Sequence, residues 1–282
     1  MTNSPLPRRS RYLADLSGPQ VDQRVSPDSI IIQPLGAIEQ HGPHLPLNTD
    51  LMIAQAVAEA TVESVGDEVD AWLLPPLAYT KSNEHAWSSG TIWLSAATLL
   101  AVLDDIGRCI AKTPAKRLVF LNGHGGNSAL LGTANRELRL NHGLMTFTTH
   151  PGVPADQGGT SAGGEHGMGI HGGTDETSVM LHLAPHLCDM SLAERRIPEG
   201  MLGNRYVKFG GSVSFGWLSN DFFPDGYIGD PTLATPELGK RLFDGSVTAF
   251  GEALREIKTF NFGRPGNFGR PGNSGRPGNF GQ

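Results

Sequence analysis

The sequence predicts an α/β protein with a largely parallel central sheet flanked by helices. Short apolar runs bounded by turn residues alternate with longer amphipathic segments along most of the 282 residues, the pattern of repeated βα units. In addition, the most charged loops follow the ends of such runs, which is where sheets of this type place their ligands.

Taken in order, residues 1–24 form an N-terminal extension. "MTNSPLPRRSRYLADL" has arginines but no apolar stretch behind them, so it is not a secretory leader. The run "SIIIQPL" predicts a strand over 29–35, and "LMIAQAVAEA" opens a helix over 51–65. A short strand at 71–74 is followed by a helix over 96–112, whose "SAATLLAVLDDIG" meets two aspartates long before a membrane could be spanned. A strand over 117–121, a helix over 128–141 and a strand over 144–148 come next, then helices over 176–183 and 236–258. Between them, 152–173 is glycine-rich and nearly free of bulky apolar side chains; it reads as a long loop, a type often functional in compact domains. The aromatic stretch "FGGSVSFGWLSNDFFPDGYIGDPT" either closes over a site or makes a subunit contact. The main domain is therefore 25–258, and 259–282 is a low-complexity tail repeating "FGRPGN". That composition cannot bury a core and predicts a disordered, dispensable extension.

Charge and cysteine content exclude several classes. A formal net charge of -6 gives no global attraction for nucleic acid or anionic membrane. Cys109 and Cys188, the only cysteines, are far apart and fit neither a zinc finger, a thioredoxin-type site nor a disulfide framework. The expectation is a soluble protein of a reducing, cytoplasmic compartment.

Three clusters carry chemistry. The first is "EQHGPHLPLNTD", with Glu39, His41, His44 and Asp50 between a strand and a helix. Imidazole and carboxylate oxygen are the ligands of divalent ions such as Zn, Mn, Fe or Co, and without nearby cysteine a closed structural zinc site is disfavoured. Glu39 and His41, two apart, face one way in an extended loop. Asp50 taken singly is a good helix N-cap, but a cap explains neither Glu39 nor His41. His44 is either a donor behind the ligands or a loop residue. The second cluster is "NGHGGN", where His124 is a candidate ligand and the glycines let backbone approach a substrate; it lacks the Lys and Ser/Thr of a phosphate loop. The third, "GEHGMGIHGGTDETSVMLHL", gathers Glu165, His166, His171, Asp175 and Glu176 before a helix. There His171 is a candidate general acid or base, and Glu176 either a ligand or a proton acceptor. The acids alone could merely complement the helix dipole. A weaker group, "SNEHAW", offers Glu84 and His85 as substrate-facing residues, as partners behind the ligands, or as plain packing.

The ordered trio "PLGAIEQHGPHLPLNTD", "VFLNGHGGN" and "HGGTDETSVML", followed by "GDPTLATPELGKRLFD", resembles the creatininase (creatinine amidohydrolase) family over roughly 25–258. The resemblance implies a three-layer α/β metal-dependent hydrolase with two divalent ions per subunit, commonly Zn or Mn, in a homo-oligomer, often a hexamer. By motif position it implies Glu39, His41, Asp50 and His124 as metal ligands, with Asp50 bridging, and His171 and Glu176 in the catalytic group. Creatininase has a carboxylate two residues after the motif histidine, where this chain has Gly126, and Glu176 is the expected replacement as a metal ligand. It also has tryptophans before the His-x-x-x-x-Glu motif, and 152–170 here has none. The "NGHGGN" form resembles instead other branches, including the mycofactocin-system peptidase and deformylase-like amidohydrolases.

The resulting expectation is a metal-dependent amidohydrolase that cleaves a cyclic or linear amide C–N bond, in a small-molecule amide or short peptide, with a metal-activated water. A precursor-peptide peptidase of the mycofactocin type is the alternative. A noncatalytic metal-binding scaffold is the remote one.

Overall fold

The computed structural model describes residues 10–152 and 164–263. Its sheet has four strands, β1 (Ile30–Leu35), β2 (Ala71–Leu73), β3 (Arg117–Asn122) and β4 (Met145–Thr149), in the order β2-β1-β3-β4. Every pairing is parallel, with Ile30 opposite both Ala71 and Arg117, and Arg117 opposite Met145. Among the described residues six α-helices accompany it: α1 (Gly18–Arg24), α2 (Thr49–Val69), α3 (Ala96–Ile110), α4 (Ser128–His142), α5 (Thr174–Leu183) and α6 (Pro236–Thr259).

The strands β1 and β3 are buried along their whole length, which is why they read as continuous apolar runs. Alternate residues serve opposite faces of the sheet. Ile30, Ile32, Val119 and Leu121 pack with Val57, Val62, Phe250 and Leu254 of α2 and α6, while Ile31, Leu118 and Phe120 pack with Leu99, Leu103, Leu131 and Leu138 of α3 and α4. The result is helices on both faces of the sheet, as the sequence predicts.

Residues ahead of 25 join this body. Leu13, Leu16 and Val21 lie against the α3/α4 side of the core, and Leu73 donates its N–H to Arg11 O at 2.8 Å. The α1 turn was not expected from the sequence. The predicted repeat tail lies outside the described residues beyond Gly263, and so does the centre of the predicted glycine-rich loop. Among the described residues no helix is long and apolar enough to cross a membrane.

What the topology decides is position. From β1 the chain crosses to β2 on one side, and β3 lies on the other, so the carboxyl ends of β1 and β3 border a crevice between loops that diverge. Both His-bearing loops singled out in the sequence emerge there.

Candidate metal centre

Two close approaches bring the loops together. At Gly36, a Cβ would stand 2.3 Å from the Leu51 Cα, so only glycine lets the end of β1 sit against the start of α2. At Gly123, after β3, a Cβ would meet Asp50 O at 2.7 Å. Between these points Glu39, His41, Asp50 and His124 are all buried.

Asp50 does not cap its helix. The N-cap position is Asn48 and α2 begins at Thr49, so Asp50 lies inside the first turn. Side chains there lean back toward the N-terminus, and its two oxygens reach two histidines: Oδ1 is 3.0 Å from His41 Nε2 and Oδ2 is 3.0 Å from His124 Nδ1. Glu39 Oε1 is equally crowded, at 3.2 Å from His124 Nδ1, 3.5 Å from His85 Nε2, and 3.8 Å from both His41 Nε2 and His171 Nδ1. Glu176 arrives from α5 and accepts the Gly172 N–H at 2.6 Å through Oε2.

Three groups have ligand atoms close enough to share a cation: Glu39–His41–His171, Glu39–Asp50–His124 and His41–Asp50–Glu176, each within 4.8 Å. The fit to a divalent ion rests on a further observation. Glu39 Oε1 and Asp50 Oδ2 are buried and receive no well-directed hydrogen bond, although imidazole nitrogens surround them. An unsatisfied buried acceptor costs about 1–3 kcal/mol, more when charged, and a bound cation removes that cost.

The electrostatics point the same way. Burial alone would lower the His41 imidazole, but the Asp50 carboxylate beside it, helped by Glu176 and Glu39, raises it to about 10. Burial likewise opposes protonation of His124, and Glu39, Asp50 and Glu84 overcome it. Asp50 is held far below the usual carboxylate range by the same two histidines, against its burial. Burial, with Asp50 and Glu39 nearby and His41 opposing, pushes Glu176 up to about 7. His171 is driven well down by burial and by His41 and His85. The carboxylates draw positive charge to the cluster.

The six residues Glu39, His41, Asp50, His124, His171 and Glu176 thus meet in one place. His44 does not join them: its Nε2 contacts Gly172 O at 3.1 Å and Thr177 Oγ1 at 3.2 Å, tying the first loop to the start of α5. His166 is exposed, with φ 53°. Glu165 is buried, but its Oε1 accepts the Thr174 and Asp230 N–H groups at 2.9 and 2.6 Å, a staple behind the site. His85 is inside the cluster, its ring 4.2 Å from that of His171. Glu84 lies beside it, with Oε1 3.2 Å from His124 Nε2. Burial raises the Glu84 carboxyl, but His124 outweighs this and lowers it to about 2.

Neutral residues hold the cluster together, and the sequence reading missed them. Gln40 donates to His85 Nδ1 at 3.0 Å, and its carbonyl accepts from His171 Nε2 at 2.6 Å. Ser82 donates to Glu39 Oε2. Asn127 accepts the Lys81 N–H at 3.1 Å and donates to Thr80 Oγ1 at 3.1 Å, joining the two loops. The one available signal for Gln40 was its place between Glu39 and His41.

These groups open into a cavity of about 410 Å³, lined by Glu39, Asp50, His124 and Glu176 together with Phe215 and Trp217. The aromatic stretch therefore closes over the site of its own chain, where Phe209 stacks edge-on against Trp217 at 5.3 Å.

A parallel α/β sheet with a buried His/carboxylate cluster at its switch point is an arrangement suited to holding divalent ions. The family model described as Creatinine amidohydrolase matches residues 14–254, and the chain belongs to the creatininase family. It is 38% identical over 248 residues to a protein of Mycobacterium ulcerans named "Mycofactocin precursor peptide peptidase", covering 86% of this chain and 90% of that one. It is 33% identical over 199 residues to "Creatinine amidohydrolase" of Pseudomonas putida, covering 64% and 75%. A solved structure described as "Creatininase Mn" superposes with a TM-score of 0.70 at 26% identity, covering 89% of this chain and all of that one. The fold is therefore that of the metal-dependent amidohydrolases.

Proposed function

We propose that this chain is a two-metal amidohydrolase whose substrate is a peptide amide bond. The observation that carries the reading is the convergence of two His/carboxylate groups on Asp50, with carboxylate oxygens left without donors. Glu39, Asp50 and His124 would hold one divalent ion, and His41, Asp50 and Glu176 the other. Zn and Mn suit this donor set. Bound there, the ions supply a Lewis acid for the substrate carbonyl and lower the pKa of the attacking water.

The chain's own groups handle position and protons. Asp50 offers one oxygen to each group and so sets their spacing. His171 has its Nε2–H engaged by the Gln40 backbone carbonyl, which turns the Nδ1 lone pair toward the cluster, where it can take a proton from the attacking water and then pass it to the leaving nitrogen. Without that proton the amine is a poor leaving group and the bond re-forms. Glu176, in the first turn of α5 and facing the same cavity, is the second group able to carry the proton. Phe215 and Trp217 exclude water and give the substrate apolar surface.

A peptide is favoured over a small cyclic amide by the relative at 38% identity, whose name specifies a precursor peptide, and by that match covering 90% of its length. A homo-oligomer is part of the proposal. The test uses the Asp50→Ala variant. Wild-type protein purified without chelator is expected to hold close to two divalent ions per chain by elemental analysis and to hydrolyse short peptides faster than creatinine. Asp50→Ala is expected to lose metal and activity together. A variant with full metal content and only about 1 kcal/mol lower stability would mean that Asp50 serves the helix end alone.

A further inference from the structure

Gly126 lies two residues past His124, and its backbone is not in the left-handed region. The main chain thus permits a side chain there, but the space is taken: a Cβ would come 1.8 Å from Glu84 Oε1 and 2.4 Å from His124 Nε2. Glu84, and not Glu176, fills the volume next to Gly126. It comes from a separate loop and is largely buried, with Oε2 3.0 Å from Lys81 Nζ. On the other side Oε1 is 3.2 Å from His124 Nε2. That nitrogen also lies 2.8 Å from Lys81 O. Two acceptors around Nε2 make it an N–H of the ring, and Nδ1 is the nitrogen that faces Glu39 and Asp50.

We propose that Glu84 is a positioning residue for His124, held by its own loop in the space that glycine at position 126 leaves free. This rests on the metal-centre reading above. A carboxylate behind a ligating histidine fixes its tautomer and ring plane and raises its basicity, and removal of such a partner costs 10–100-fold in metal affinity or activity. Lys81 holds the free oxygen of Glu84 and keeps the carboxylate from turning into the cavity. A Cβ at 126 would meet both the end of Glu84 and the His124 ring, so this position stays open for Glu84 only as glycine.

The experiment is calorimetric titration of the metal-stripped full chain with Zn and with Mn, for wild type, E84A, E84Q, E84D and G126E, with thermal melts to confirm folding. E84A is expected to bind about 10–100-fold more weakly, and E84Q to lose less because its amide oxygen still accepts from Nε2. G126E is expected to bind weakly, since its side chain displaces Glu84 and presses on the His124 ring. E84A titrating like wild type would show that the Lys81 carbonyl suffices and would overturn the proposal, as would E84Q losing as much as E84A. Should E84A not fold, E84D, whose shorter side chain withdraws the carboxylate from Nε2, decides in its place, and wild-type affinity there overturns the proposal. A wild type that binds neither ion overturns the metal-centre reading itself, and this inference with it.

Discussion

At the scale of single residues, His171 and Glu176 stand five apart and divide the work differently. Glu176 shares the His41–Asp50 group, whereas His171 belongs only to a third grouping with Glu39 and His41. Neither group assigned to an ion needs His171. Its replacement by alanine is therefore expected to leave two ions bound and to slow turnover by about 10²–10⁴-fold, the usual worth of a placed general acid or base. Metal analysis beside kcat checks this, and a variant that loses an ion would make His171 a ligand. The charged members of the site were legible in the sequence because Glu39, His41 and Asp50 in one short loop, or His171 and Glu176 in another, have no ordinary structural excuse. Gln40, Ser82 and Asn127 were not legible. An amide or hydroxyl in a loop is commonplace, and its value here comes from partners at 85, 171 and 81, which only folding brings near. Asp50 was ambiguous as a cap because sequence does not say whether a helix starts one residue before or after it.

At the scale of elements, all four strands were legible: β1, β2 and β3 are buried on both faces, which turns alternation into near-continuous apolar runs, and half-buried β4 shows through its threonines and Phe147. Helices were legible to within a few residues at their ends: α2 continues to Val69, because Val65 and Val69 go on packing against α6 and β2. The α1 helix escaped because "GPQVDQR" shows no apolar period; the Ser17 N–H accepted by Gln20 Oε1 at 2.8 Å and the docking of Val21 sustain it. Helix α5 carries Glu176, and its placement depends on α6. At Gly239 in α6 a Cβ would lie 1.8 Å from Ser178 O, a backbone atom that cannot step aside. Gly239→Ala is expected to push α5 and α6 apart, lowering stability by about 1–3 kcal/mol and weakening metal binding through Glu176. Gly132 in α4 has nothing within 4 Å of its would-be Cβ, so Gly132→Ala is expected to raise stability by about 0.4–1 kcal/mol. Urea titrations of the two variants should move in opposite directions. Equal shifts would mean that the α5–α6 contact does not set the position of α5.

At the scale of the whole molecule, the residues lining the cavity fall between 39 and 217, and the family match ends at 254. Removal of 264–282 is therefore expected to leave the melting temperature and hydrolysis unchanged, and a lower melting point in calorimetry would give the repeat a structural part. Assembly is a separate matter. Tyr79, Ile92 and Trp93 are 51%, 52% and 42% exposed on the segment between β2 and α3. Single exposed apolar residues are ordinary, but three on one segment make it the place we propose for a contact between copies. That same segment carries Ser82, Glu84 and His85 into the site, and the Ile92 N–H bonds to Ile38 O at 2.9 Å, one residue before Glu39. Copies meeting on this surface would brace the wall of each metal centre as well as cover apolar area. Light scattering of the wild type is then expected to give a multiple of 30.0 kDa. Trp93→Glu, which puts a charge into the contact, is expected to shift the mass toward a single copy and to lower metal affinity as the segment loosens. A wild type at 30.0 kDa would sink the oligomer. A dissociated Trp93→Glu variant that keeps full metal affinity would show that each chain holds its site unaided.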